Sequence, residues 1–130
     1  MTRLLSVIAV FGGGGVGCLL RWWLGVLLNP LFPTVPMGTV AVNLVGGMLI
    51  GLASAFFTHS ASLPPEYRLL VITGFIGGLT TFSTFSLEIV TLIGRKEYWW
   101  GIGAASLHLF GSLLMTALGI LIVNALFARH

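Results

Sequence analysis

Four long apolar runs divide the chain, separated by short stretches rich in breakers. The runs span about Leu4 to Leu28, Thr39 to Phe57, Leu69 to Ile93 and Trp99 to Phe127. Each is near or above the roughly 20 residues that a helix needs to cross hydrocarbon. Each is also too long and too continuous for a barrel strand. The connections read "NPLFPTVPMG", "THSASLPPEY" and "GRKEYWWG", and Pro30, Pro33, Pro36, Pro64 and Pro65 all fall in the first two. A missing N–H costs little there. The pattern predicts an all-α membrane protein, a single domain over 1–130 with transmembrane helices at about 4–28, 39–57, 69–93 and 99–127. The first run exceeds the apolar core of a signal peptide, and no small-residue cleavage site leads from it into a soluble chain.

The third run is not uniformly apolar. It contains "GGLTTFSTFSLE", Gly77 to Glu88. Gly77 and Gly78 weaken a helix. Thr80, Thr81, Ser83, Thr84 and Ser86 carry hydroxyls that compete with the helical ladder for backbone groups. Together they predict a third helix broken near its middle. Such a break frees carbonyls and N–H groups, and is tolerated only where protein or a cavity surrounds it. Freed carbonyls can hold a cation. Phe82 and Phe85 fall on one face beyond the break. They either pack against lipid and protein or turn their electropositive ring edges to a small anion.

The second and fourth runs also carry polar groups. Asn43, in "GTVAVNLVGG", must find partners, so it bonds a neighbouring helix or faces a cavity. His108, Ser112 and Thr116 follow one another at i, i+4 and i+8, a line of about 12 Å up one face. They serve either as interhelical and back-bonding groups or as a track for a small hydrated solute. A histidine in that line can also exchange protons near neutral pH.

Composition sharpens the class. Of 130 residues, 57% are hydrophobic and 7% charged, too few charges to cover a soluble domain, which carries roughly a quarter. The net charge of +3 is scattered singly and forms no nucleic-acid patch. Gly12, Gly14 and Gly17 spell a dinucleotide fingerprint without its βαβ setting, and helix packing explains them better. The single cysteine, Cys18, forms no intrachain disulfide. No nucleophile–base pair or metal cluster is visible, so an enzyme is not expected. Glu88 alone among the acids falls within a run. Lys and Arg balance across the two faces: Arg3, Arg68 and Arg129 against Arg21, Arg95 and Lys96. Such a balance sets no orientation. Either another feature fixes it or the chain inserts both ways. Two oppositely inserted copies pair about an axis in the membrane plane, the arrangement that inverted repeats give larger transporters.

These residues resemble the Fluc (CrcB-like) fluoride ion channels of microbes over essentially the whole chain. The carrying motifs are "GCLLRWW", "GTVAVNLVGG", "TGFIGGLTTFSTFSLE" and "LHLFGSLLMTALG". The resemblance implies a dual-topology antiparallel homodimer in the cell inner (plasma) membrane, with two pores that export cytoplasmic fluoride passively and so relieve its toxicity. It implies an anion pathway of Asn43, Phe82, Phe85, Ser83, Thr81, His108, Ser112 and Thr116. It also implies a structural sodium ion at the dimer centre, on the backbone carbonyls of Gly77 and Thr80. Arg21 and Glu88 are vestibule candidates, although "RWW" equally suits an interfacial anchor. Two rival readings differ in what they need. A small multidrug-type proton-coupled exporter needs a carboxylate in the first helix, and this chain has none there. A non-transporting scaffold needs no polar line through the bilayer.

Overall fold

The computed structural model describes residues 2–129 and is helical through the four runs except at Thr80 and Thr81. Helix α1 covers Thr2–Leu28 and passes into a 3-10 turn at Asn29–Leu31; α2 covers Met37–His59. Residues 65–79 form α3. It starts as an α turn at Pro65–Arg68, widens to a π coil at Leu69–Ile76, and closes as an α turn at Gly77–Leu79. Helix α4 is Phe82–Gly94 and α5 is Tyr98–Ala128. Four spans, Arg3–Leu31, Met37–His59, Pro65–Gly94 and Tyr98–Ala128, are long and apolar enough to cross a membrane. The chain is a multi-pass membrane protein.

The helix ends follow from the residues at them. Pro36, extended at φ −65 and ψ 108, is the N-cap of α2. Asn29 reaches back from the preceding turn, and its Oδ1 accepts from the Gly38 N–H at 2.7 Å. That bond satisfies one of the donors a helix start leaves open. Pro65 opens α3 at a position where its missing N–H is not needed. Helix α4 ends in a Schellman turn: Lys96 N–H donates to Ile93 O and Glu97 N–H to Leu92 O, both at 2.9 Å. Lys96 takes the left-handed position at φ 62 that glycine usually fills.

Between α3 and α4 two residues are extended, Thr80 at φ −88, ψ 159 and Thr81 at φ −151, ψ 118. Their hydroxyls close the flanking helices. Thr80 Oγ1 and Thr80 N–H both donate to Ile76 O, at 2.9 and 3.0 Å. Thr81 Oγ1 accepts from the Thr84 N–H at 3.1 Å and so caps α4.

Lipid is as apolar as leucine, so helix association here depends on close backbone approach. Glycines supply it in two crossings. Where α1 meets α3, a Cβ on Gly78 would lie 2.6 Å from Gly14 O. Where α2 meets α5, a Cβ on Gly119 would lie 2.6 Å from Met48 O, and one on Gly47 would lie 2.9 Å from Ser112 O. Gly17 and Gly51 are as tightly placed, against Phe75 O and Thr116 O. The glycines four residues apart, Gly13 and Gly17, Gly47 and Gly51, and Gly74 and Gly78, therefore serve pairs within the chain. Gly17, part of the spurious fingerprint, belongs to the α1–α3 crossing. The second crossing presses Ser112 and Thr116 against α2, beside Asn43. A small apolar cluster of Val35, Val40, Leu92 and Ala104, flanked by Leu44 and Ile89, joins α2, α4 and α5 near the start of α2. Trp22 and Trp99 face outward, as aromatic belts do.

Gly51→Ala sets a methyl group into the Thr116 carbonyl. It is expected to cost ~1–3 kcal/mol, as overpacking does, and to lower the unfolding midpoint in detergent. An unchanged midpoint would show that the α2–α5 crossing is looser than described.

Candidate functional site

The site is built around backbone that has left the helix. At membrane depth the Thr81 N–H and C=O need partners that water does not supply. Asn43, on α2, provides both. Its Oδ1 accepts from the Thr81 N–H at 2.8 Å and its Nδ2 donates to Thr81 O at 3.0 Å. Its Nδ2 also lies 3.0 Å from Nδ1 of His108 on α5. One amide thus joins three spans.

The interruption redistributes the carbonyls before it. In a continuous helix the Thr81 N–H would meet Gly77 O, and the Thr84 N–H would meet Thr80 O. Here the first goes to Asn43 and the second to the Thr81 hydroxyl. The carbonyls of Gly77 and Thr80 are released from their helical donors. Gly78 O is taken differently: Arg21, on α1, donates to it from Nε at 2.9 Å. The C-terminal end of α3 and the N-terminal start of α4 meet at this depth. The macrodipole places partial negative charge at the first and partial positive charge at the second.

A groove of about 450 Å³ runs along the interruption. Asn43, Gly77, Thr80, Thr81, Phe82, Phe85, His108, Ser112 and Thr116 all line it. The Phe82 and Phe85 rings stand 5.6 Å apart at 59°, and Phe85 stands 4.5 Å from the His108 ring at 41°. His108 is only 5% exposed, whereas Phe82 is 78% exposed within the single protomer. The two hydroxyls of α5 differ. Thr116 Oγ1 donates to Gly47 O and Ser112 O, both at 2.9 Å, so its proton is engaged. The Ser112 side chain has no hydrogen bond among the described residues, which leaves a donor for the groove.

The remaining candidates lie elsewhere. Ser83 is exposed on the first turn of α4 and is not among the groove-lining residues. Arg21 lines a second cavity of about 360 Å³ with Asn29, Thr39, Thr81 and Thr84. Its guanidinium reaches inward to α3 instead of out to the interface, while Trp22 and Trp23 are exposed beside it. Glu88 lines neither cavity; its Oε1 accepts from Thr39 Oγ1 at 2.5 Å. Thr39, buried at 5% exposure, is a site residue that sequence reasoning missed. Its signal is its position one turn before Asn43 on the same helix face. Thr81 lines both cavities and forms part of the wall between them.

The comparisons with known proteins agree on one family. The family model described as "CrcB-like protein, Camphor Resistance (CrcB)" matches residues 8–120. A protein of Nitrosospira multiformis named "Fluoride-specific ion channel FluC" is 56% identical over 127 residues, covering 98% of each chain. Its namesake in Burkholderia ambifaria is 54% identical over 123 residues, covering 95% of this chain and 96% of the relative. One in Burkholderia lata is 55% identical over 114 residues, covering 88% and 89%.

Proposed function

This chain belongs to the CrcB-like family, and from that premise we propose that it is a fluoride-specific ion channel through which cytoplasmic fluoride leaves the cell passively. The observation that carries the reading is the groove itself, which sets the unengaged Ser112 hydroxyl and the rings of Phe82 and Phe85 beside the interrupted backbone, in a chain so similar to named fluoride channels. An anion that must pass needs contacts strong enough to replace part of its water and weak enough to release it. The Ser112 hydroxyl, the edges of Phe82 and Phe85 and the positive start of α4 are contacts of that kind. No fixed cation stands among the groove-lining residues to hold the ion. Arg21, in the neighbouring cavity, supplies an attractive field at one mouth.

The working unit is an antiparallel homodimer in the inner (plasma) membrane, with one groove per protomer and so two pores. Three observations support it. The positive charges balance three against three, Arg3, Arg68 and Arg129 against Arg21, Arg95 and Lys96. Phe82, a large apolar side chain beside the groove, lies 78% exposed on a lone protomer, and a second copy gives it cover. A channel also needs closed walls, which four spans alone do not make around this groove.

The carbonyls of Gly77 and Thr80 suit a sodium ion shared between the two copies. They are hard oxygen donors, and both are released from their helical donors at the interruption. A bound sodium ion would supply positive charge that holds the two interrupted spans together.

Two experiments test the reading. Phe82→Ile and Phe85→Ile keep bulk and remove the ring edge. Each is expected to cut fluoride flux by about ten-fold or more, the size of one to two lost anion contacts, with the dimer intact on gel filtration. Wild-type flux in both would remove the rings from the mechanism. Two lysines added to one loop are expected to bias insertion and lower fluoride resistance in cells, with recovery on coexpression of an oppositely biased copy. Full activity of one biased form alone would end the antiparallel arrangement.

A further inference from the structure

We infer that His108 is a positioning residue of the conduction path: as the neutral tautomer protonated on Nε2, it holds Asn43 in the one orientation that caps Thr81. The inference rests on the groove being the fluoride path, but its geometric core does not.

Donors and acceptors along three bonds fix the tautomer. A backbone N–H only donates, so the atom of Asn43 facing Thr81 N at 2.8 Å is Oδ1. A backbone carbonyl only accepts, so the atom facing Thr81 O at 3.0 Å is Nδ2. One Nδ2 proton is engaged there. The other has a single described partner, Nδ1 of His108, at 3.0 Å. That nitrogen must therefore offer a lone pair.

The alternatives all conflict with a backbone group. The Nδ1–H tautomer or an imidazolium sets donor against donor. Rotating the Asn43 amide to answer it sets Nδ2 against the Thr81 N–H and Oδ1 against the Thr81 carbonyl. Thr81 cannot adapt, because its hydroxyl already caps α4. His108 has little room to turn away, being 5% exposed and 4.5 Å from the Phe85 ring. The ionisable groups on the neighbouring helices are engaged elsewhere, Glu88 with Thr39 and Arg21 with Gly78. The nitrogen Nε2 has no partner among the described residues and is not a buried unpaired atom, so its proton is left for the groove that His108 lines. One tautomer thus fixes Asn43, keeps Thr81 extended, and adds a neutral donor beside Phe85.

The test has a spectroscopic arm and a flux arm. Nitrogen-15 NMR is recorded in lipid bilayers on protein whose other histidines carry His59→Gln and His130→Gln, so that one imidazole signal remains. A bare Nδ1 and a protonated Nε2 at neutral pH are expected; a protonated Nδ1 overturns the inference. In liposomes, His108→Asn puts an amide oxygen where Nδ1 stands but removes the Nε2 donor, and is expected to keep several-fold more valinomycin-dependent fluoride efflux than His108→Leu. His108→Leu has similar bulk and no acceptor, and is expected to lose about ten-fold or more with the dimer intact. Efflux of the Leu variant at the wild-type rate, or equal loss in the Asn and Leu variants, overturns the positioning role. Absence of fluoride efflux from the wild type would instead count against the channel reading and leave the tautomer result standing.

Discussion

A backbone that leaves the helix inside a membrane must find protein partners for its own N–H and C=O. At Thr81 a single side chain meets that demand, the carboxamide of Asn43. An unpartnered amide or carbonyl in hydrocarbon costs several kcal/mol, so the extended pair exists only because the amide is there. The rest of the site follows. The capped backbone lets Thr81 turn its hydroxyl to the start of α4, releases the carbonyls of Gly77 and Thr80, and leaves Gly78 O to Arg21. The Asn43 amide in turn depends on close packing of α2 against α5, which the glycines at 47, 51 and 119 allow.

An interrupted span suits ion passage because it creates partial charge at membrane depth without a fixed ion. The end of α3 offers carbonyls and the start of α4 offers amides, so opposite partial charges lie within a few residues of each other. In the proposed reading each serves a different ion, sodium at the released carbonyls and fluoride along the donors of the groove. Phenyl edges and one free hydroxyl bind a small anion weakly, and weak contacts in series allow it to leave. Thr81, lining both cavities, links the groove to the cavity that holds Arg21. Glu88 is bonded to Thr39 and Arg21 to the Gly78 carbonyl, and neither charged side chain lines the groove itself.

Much of this was legible in the sequence because membrane helices declare themselves by unbroken apolarity. The four spans coincide closely with the four runs, and the polar positions within them were few enough to single out. The groove gathers Asn43, Thr81, Phe82, Phe85, His108, Ser112 and Thr116, since polar and aromatic groups on three helices have few other places to meet. What the sequence could not convey was pairing. The glycine spacings at 13 and 17, 47 and 51, and 74 and 78 look alike, yet they serve two different crossings. Nor did spacing reveal that Arg21 turns inward to Gly78, a partner 57 residues away, or that Ser83 faces out of the groove. Thr39 is inconspicuous in the sequence because a lone threonine among apolar residues looks like a packing residue, and only the fold sets Glu88 against it. The π coil at Leu69–Ile76 has no clear signature beyond its β-branched residues and Gly74, which are only mildly unfavourable to an α-helix.

The most direct test of the account is anion efflux from liposomes containing the purified protein, followed with a fluoride electrode and then a chloride electrode. Valinomycin and potassium carry the compensating charge. The account predicts rapid fluoride release that requires valinomycin, with little release of chloride. Equal release of both anions would contradict selectivity, and no fluoride release from folded protein would contradict the channel itself.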